Sequence, residues 1–182
     1  MLVECGFVRA VTKDGDEYTF TPSFGRIAAL GSPHEIVATY AGLHGPRAPQ
    51  EAAYVLACLC DQEDVSPLIG FREGAAWTAG TMPAAEQIII AQHLMQHGIA
   101  GTARPGGGSG QYSDRFDAHE YVAAARVHLG LSSADAEALS MTEFQQMLEM
   151  KFPDRKSKDK DLPTREQYDA AMKHLDEVQR GA

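Results

Sequence analysis

Apolar and polar positions along the chain alternate first with a strand-like period and then with a helical one. Phe7, Val8 and Val11 precede Lys13-Asp14-Gly15-Asp16, and Tyr18-Thr19-Phe20-Thr21 follows. An Asp-Gly pair between two β-prone runs predicts a hairpin, because both central turn positions favour positive φ. Pro22 ends the second strand, since it cannot donate to a ladder. From Ser23 the period becomes helical, with Phe24, Ile27, Ala28 and Leu30 on one face and Gly31 as the stop. Ser32-Pro33-His34-Glu35 then reads as a helix start, with Ser32 as cap, Pro33 in the first turn and Glu35 at capping-box spacing.

Further helices follow from the same reasoning. One covers about 49–60, where Ala52, Ala53, Val55, Leu56 and Leu59 make a broad apolar face that demands deep burial. Glycines at 70, 74 and 80 break up the stretch 68–80, and Trp77 is expected to pack it onto the core. A helix opens at Met82-Pro83, carries Ile88, Ile89, Ala91, Leu94 and Met95, and is expected to close at Gly98. Residues 101–110, with Pro105-Gly106-Gly107-Gly108-Ser109-Gly110, have the composition of a surface loop. Helices are then predicted from 117 to about 129, from a cap at Ser132 or Ser133 through 139, and from 141 to a stop at Pro153. The expected fold is therefore mainly α, with an N-terminal β-hairpin and a compact helical domain over 1–153. A charged linker covers 154–162 and a C-terminal helix 163–182, whose narrow stripe is Tyr168, Met172, Leu175 and Val178.

A chain of 182 residues is long enough for one self-sufficient core. Its net charge of −9 argues against nucleic-acid binding, which needs a basic face to neutralise phosphates. Charge is uneven: residues 1–150 hold 8 basic and 18 acidic side chains (−10), and 151–182 hold 8 and 7 (+1). Cys5, Cys58 and Cys60 form neither a disulfide framework nor a CxxC motif, so free thiols are expected. The longest apolar run, near 88–91, falls far short of the roughly 20 residues that span a bilayer, and the N-terminus shows no secretory pattern. No membrane association and a cytoplasmic location are expected.

Candidate chemistry is sparse. His93 and His97 stand at i and i+4 on one helix face, a spacing that suits a metal, but Leu94 occupies the place of the general-base glutamate of an HExxH hydrolase. A third ligand would have to come from His119, His128 or a carboxylate. The glycine run 106–110 lacks the Lys-Ser/Thr of a phosphate loop. Cys58 and Cys60 lie in an Ala/Leu-rich helix, where a thiol behaves as a small hydrophobe. No serine sits in a nucleophile elbow. A non-enzymatic protein with no cofactor is expected.

Three segments carry a resemblance: 20–36 (FTPSFGRIAALGSPHEI), 91–98 (AQHLMQHG), and 116–126 (FDAHEYVAAAR) through 139–153 (LSMTEFQQMLEMKFP). Together, with most weight on 130–144, they resemble tail-gene-cluster proteins of tailed bacteriophages and prophages, in particular tail assembly chaperones. The resemblance implies a morphogenesis factor, not retained in the virion, that binds the long apolar tape measure protein, or the tail tube protein, while tail subunits polymerise. Tyr168, Met172 and Leu175 on the last helix are the first candidate partner contacts, and Phe144, Met147 and Leu148 the second. The alternatives are a structural virion component, such as a tail-completion or connector protein, and a small metal-dependent enzyme using His93 and His97.

Overall fold

The computed structural model describes residues 6–74, 76–102 and 114–153. The fold is mainly α-helical and opens with an antiparallel hairpin, as the apolar pattern predicts. Strands β1 (Val8–Val11) and β2 (Glu17–Phe20) pair with Val8 opposite Phe20 and Val11 opposite Glu17. The turn differs from the expected one in a single respect. Gly15 has φ +92°, but Asp14 stays at negative φ, because the loop is longer: Gly15 N–H donates to Thr12 O (3.1 Å) and Thr12 N–H to Asp16 O (2.9 Å). Tyr18 and Phe20 point into the core and the alternate residues of β2 outward, the period of a half-buried strand.

The outer edge of β2 is closed by the end of a helix. Thr21 N–H donates to Leu59 O (2.9 Å) and Asp61 N–H to Thr19 O (2.8 Å). Arg26 fastens the same junction: its guanidinium pairs with Asp61 (3.0 Å) and donates to the carbonyl of Cys60.

Helix α1 (Phe24–Ala28) starts at Ser23, whose hydroxyl accepts from Arg26 N–H. Helix α2 (Pro33–Gly42) begins as its sequence predicts: the Glu35 carboxylate accepts from Ser32 N–H (2.8 Å) and Ser32 Oγ (2.6 Å). Helix α3 (Ala48–Leu59) buries Ala52, Val55, Leu56 and Leu59 completely and packs most extensively against α5 (Ala84–Met95). Each fully buried Val or Leu contributes about 1.5–3 kcal/mol of transfer free energy, so this pair of helices is the spine of the core.

Two helices end in a wider π turn. Helix α5 runs on through 96–100 and stops at Gly101 (φ +73°), not at Gly98. Gly98 has a packing role instead, for a Cβ there would lie 2.7 Å from Ile27 Cδ1. Helix α6 (Ala118–Ala124) is capped by the Asp117 carboxylate and continues through 125–129 to Gly130, at φ +76°. Helix α7 (Ser133–Ala138) is capped by Ser132 Oγ, and α8 (Met141–Lys151) opens with a reciprocal Ser140–Glu143 pair. Helix α1 packs on α6 and α7. Phe24, Phe116, Tyr121 and Phe144 stack there, with ring centroids 5.0–5.9 Å apart.

The stretch 68–80, which the sequence pattern leaves unassigned, forms a one-turn helix α4 (Ser66–Ile69) and a second antiparallel hairpin. Its strands are β3 (Gly70–Glu73) and β4 (Ala76–Ala79). Trp77 is 55% exposed and does not pack into the core as expected. Four-residue strands without a sheet on either side leave β4 exposed along its whole length.

The chain divides into two compact units, Met1–Leu148 and Glu149–Ala182. In the second, Met150 is 84% exposed and Lys151 Nζ lies 5.9 Å from the Phe152 ring centroid. The predicted linker 154–162, the helix 163–182 and the loop 103–110 fall outside the described residues. Among the described residues no helix is long and apolar enough to cross a membrane.

Candidate functional site

The exposed aromatic groups point to a groove beside the second hairpin. Its neck is made possible by two glycines. Gly70 has φ +96°, and a Cβ on it would lie 2.5 Å from Thr78 O. A Cβ on Gly80 would lie 2.3 Å from Leu68 O. Only residues without a side chain let the two strands pass this closely. Thr81 N–H to Pro67 O (3.0 Å) and Met82 N–H to Leu68 O (2.8 Å) close the neck. The buried Gln87 carboxamide secures it from α5, donating to Ile69 O (3.0 Å) and Met82 O (2.9 Å).

With its neck fixed, the hairpin stands beside α3 and the start of α5 and borders an open groove of about 650 Å³. Small residues (Ala53, Ala57 and Ala84) form much of the lining, with Tyr54, Ile69 and Trp77 adding larger apolar surface. Arg72 lies directly across the ladder from Trp77, so both side chains belong to the groove face. Phe71, opposite Thr78, belongs to the other face and is 45% exposed. Most polar lining groups are already engaged. Tyr54 Oη donates to Leu30 O (2.8 Å), and Gln87 Nε2 is shared between two carbonyls. Arg72 Nε donates to Gly74 O (3.0 Å), which orients the guanidinium, and Arg72 makes no ion pair with any described residue.

Among the described residues, the candidate groups read from the sequence do not come together in one cluster. The His93 and His97 rings lie 4.5 Å apart, but among the described residues no third metal-binding side chain groups with them. His97 Nδ1 shares a hydrogen bond of 2.8 Å with the fully buried Thr142 hydroxyl. Burial, and then the neighbouring His93, pull the His97 pKa below the ordinary value, which favours a neutral packing residue. Burial raises the thiol pKa of both Cys58 and Cys60, the opposite of what an activated nucleophile needs.

The second set of candidate contacts lies partly within the packing of the body. Phe144 is 5% exposed and sits edge-on to Phe24 and Tyr121, Leu148 packs against the core, and Met147 is half-buried. The body of the protein already occupies that face of α8. The first set, Tyr168, Met172 and Leu175, lies outside the described residues.

A family model, described as a family of unknown function (DUF6246), matches residues 45–170. The chain belongs to this family. The match spans every residue of the groove, from Pro49 to Gln87, and the helices from α5 to α8. No curated protein and no solved structure matches the chain.

Sequence reasoning missed the groove because it left 68–80 without an element. The signal was there: Phe71-Arg72 and Ala76-Trp77-Thr78 flank Gly74 and are bracketed by Gly70 and Gly80, the spacing of two short strands around a turn.

Proposed function

We propose that the protein is a binding helper in bacteriophage tail assembly, of the tail assembly chaperone kind. It would hold an apolar helical segment of the tape measure protein until tail subunits enclose it. The observation that supports this reading is the groove between α3 and the second hairpin, open to solvent and lined by Tyr54, Ile69 and Trp77. Exposed aromatic side chains around a concave apolar surface are the usual composition of a protein-binding hot spot. A floor of alanines admits the close approach of a partner helix, as in other helix-in-groove complexes. The acidic residues of 1–150 oppose self-association of a protein carrying such a patch. Tyr168, Met172 and Leu175 form the second proposed contact.

The test is retention of the untagged protein on a tagged tape measure protein after co-expression. Retention that falls at least tenfold in Trp77→Asp, with an unchanged circular dichroism spectrum, supports the reading and places the contact. Replacing Tyr168, Met172 and Leu175 by serine measures the share of the last helix. Absence of retention, with the protein present stoichiometrically in purified particles, overturns the reading in favour of a structural tail component.

A further inference from the structure

We infer that the groove selects apolar segments flanked by a carboxylate, with Arg72 as the residue that reads the acid. This rests on the protein-binding reading above and adds the chemistry of the partner.

Three observations combine. The first is that two of the polar side chains lining the groove are committed to the fold, the Tyr54 hydroxyl and the Gln87 amide both donating to backbone carbonyls, which leaves Gln50 at the exposed rim and Arg72. A sugar or nucleotide, which needs several free donors and acceptors, would leave its polar groups unpaired there. An apolar side chain loses nothing.

The second is that Arg72 is the one charged residue among the described residues lining the groove, and it makes no ion pair with a described residue. Its Nε bond to Gly74 O holds the guanidinium, and its terminal nitrogens bond no described residue. A planar guanidinium held in this way is suited to bidentate carboxylate recognition.

The third is the ladder register. Arg72 and Trp77 face each other across the hairpin, so the cation and the indole share one face. A ligand that fills the groove against Trp77 therefore brings its next exposed residue to Arg72. On a helix, that residue lies three or four positions from the apolar anchor.

Residues 1–150 are acidic as a whole, at −10. That long-range field would favour basic partners. At physiological salt, however, it decays over about 8 Å, so the charge in direct contact decides selectivity. Acidic segments without an apolar anchor are repelled, and anchored ones are captured.

Trp77 is the sole tryptophan of the chain, so its emission reports on the groove and on nothing else. The probe is a synthetic amphipathic peptide of about 18 residues, long enough for a stable groove-bound helix. It carries leucine and phenylalanine along one stripe and glutamate beside them. Two companions carry glutamine or lysine at the glutamate positions. Titration into the full chain is expected to shift Trp77 emission to the blue. The glutamate peptide should bind about three- to tenfold more tightly than the lysine peptide, the range of an exposed but well-oriented pair. Arg72→Gln should erase the preference and Arg72→Glu reverse it, and the reversal shows that the variant is folded.

Equal affinity for all three peptides, or a preference unmoved by Arg72→Glu, overturns the inference. So does a blue shift that appears on concentrating the protein alone, since a second copy would then be the occupant. The charge rule and the tail reading can fail separately. Peptide selectivity without tape measure retention leaves the groove assignment standing and removes the tail role. Retention without selectivity does the reverse.

Discussion

Two groups of aromatic side chains meet opposite fates in this molecule. Phe24, Phe116, Tyr121 and Phe144 come from α1, α6, α8 and the segment before α6, and close over one another until Phe24 is fully buried and Phe116 and Phe144 nearly so. Tyr54, Phe71 and Trp77 remain 44–55% exposed around the second hairpin. Residue type does not separate the groups. What separates them is cover. The first group lies where α1 packs on α6 and α7, and Phe24 N–H also donates to Leu139 O (2.8 Å), which ties α1 to the end of α7. In the second, Phe71 and Trp77 stand on a two-stranded hairpin and Tyr54 on α3 beside it, and among the described residues no further strand or helix covers β4. The closed cluster holds the fold together, while the open one offers the same kind of surface to something else.

This contrast can be broken most severely in the closed cluster. Phe24→Ala should destabilise the fold by about 3–5 kcal/mol, read as a lowered urea midpoint with an unchanged slope. A loss below about 1 kcal/mol would mean that the cluster is not a core. The next largest effect belongs to the neck of the hairpin. Gly80→Ala puts a methyl group against the Leu68 carbonyl and the Gly70 nitrogen, at 2.3 and 2.4 Å, both of them backbone. It should cost about 1–3 kcal/mol and, because the groove shares that neck, weaken partner binding too. Loss of stability without loss of binding would separate the neck from the groove.

How much of this could be read in advance depends on how local the signal is. The Ser32–Pro33–Glu35 start of α2 is set by neighbours within four residues and stands as the sequence indicates; the Ser23 and Asp117 caps, which the structure adds at the predicted helix onsets, are equally local. Glycine was harder to interpret, because it serves two purposes. At 130 it ends a helix at positive φ, as expected. At 98 it sits inside a helix to make room for Ile27. At 70 and 80 it allows two strands to cross close together. Nothing in the local sequence distinguishes these uses. Phe144 shows a related difficulty: its helical stripe indicates that α8 has an apolar face, but not that Phe24 and Tyr121 cover it. The groove combines both difficulties, since α3, the hairpin and α5 meet there only through long-range packing.

Acid should sharpen the comparison further. His97 has a pKa lowered by burial and by His93, from an ordinary value of 6.5. The unfolded chain therefore binds its proton first as pH falls. The stability that neutral His97 contributes is complete above pH 6.5 and is lost as pH falls from there through the folded-state value. Thermal midpoints measured from pH 7.5 down to 5 should fall through this window, and His97→Gln should flatten that part of the profile. Glu35 and Asp64, whose pKa values are lowered by hydrogen bonds from Ser32 and Ser66, add a second loss at lower pH as they are protonated. The groove has no titrating group of this kind, so Trp77 emission should stay constant from pH 7.5 to 6.

The smallest expected effect on stability is also the most informative. Trp77→Ala removes a half-exposed side chain and should change the unfolding free energy by less than about 1 kcal/mol, although it should abolish partner binding. A large loss of stability would turn Trp77 into a structural residue and end the contrast between the two clusters.

The most direct measurement of the central claim is acrylamide quenching of Trp77 in the full chain, alone and with the proposed partner, the tape measure protein. The half-exposed indole should be quenched readily in the free protein, and the tape measure protein should protect it several-fold. Unchanged quenching in a complex that demonstrably forms would contradict the claim that the groove is the binding surface.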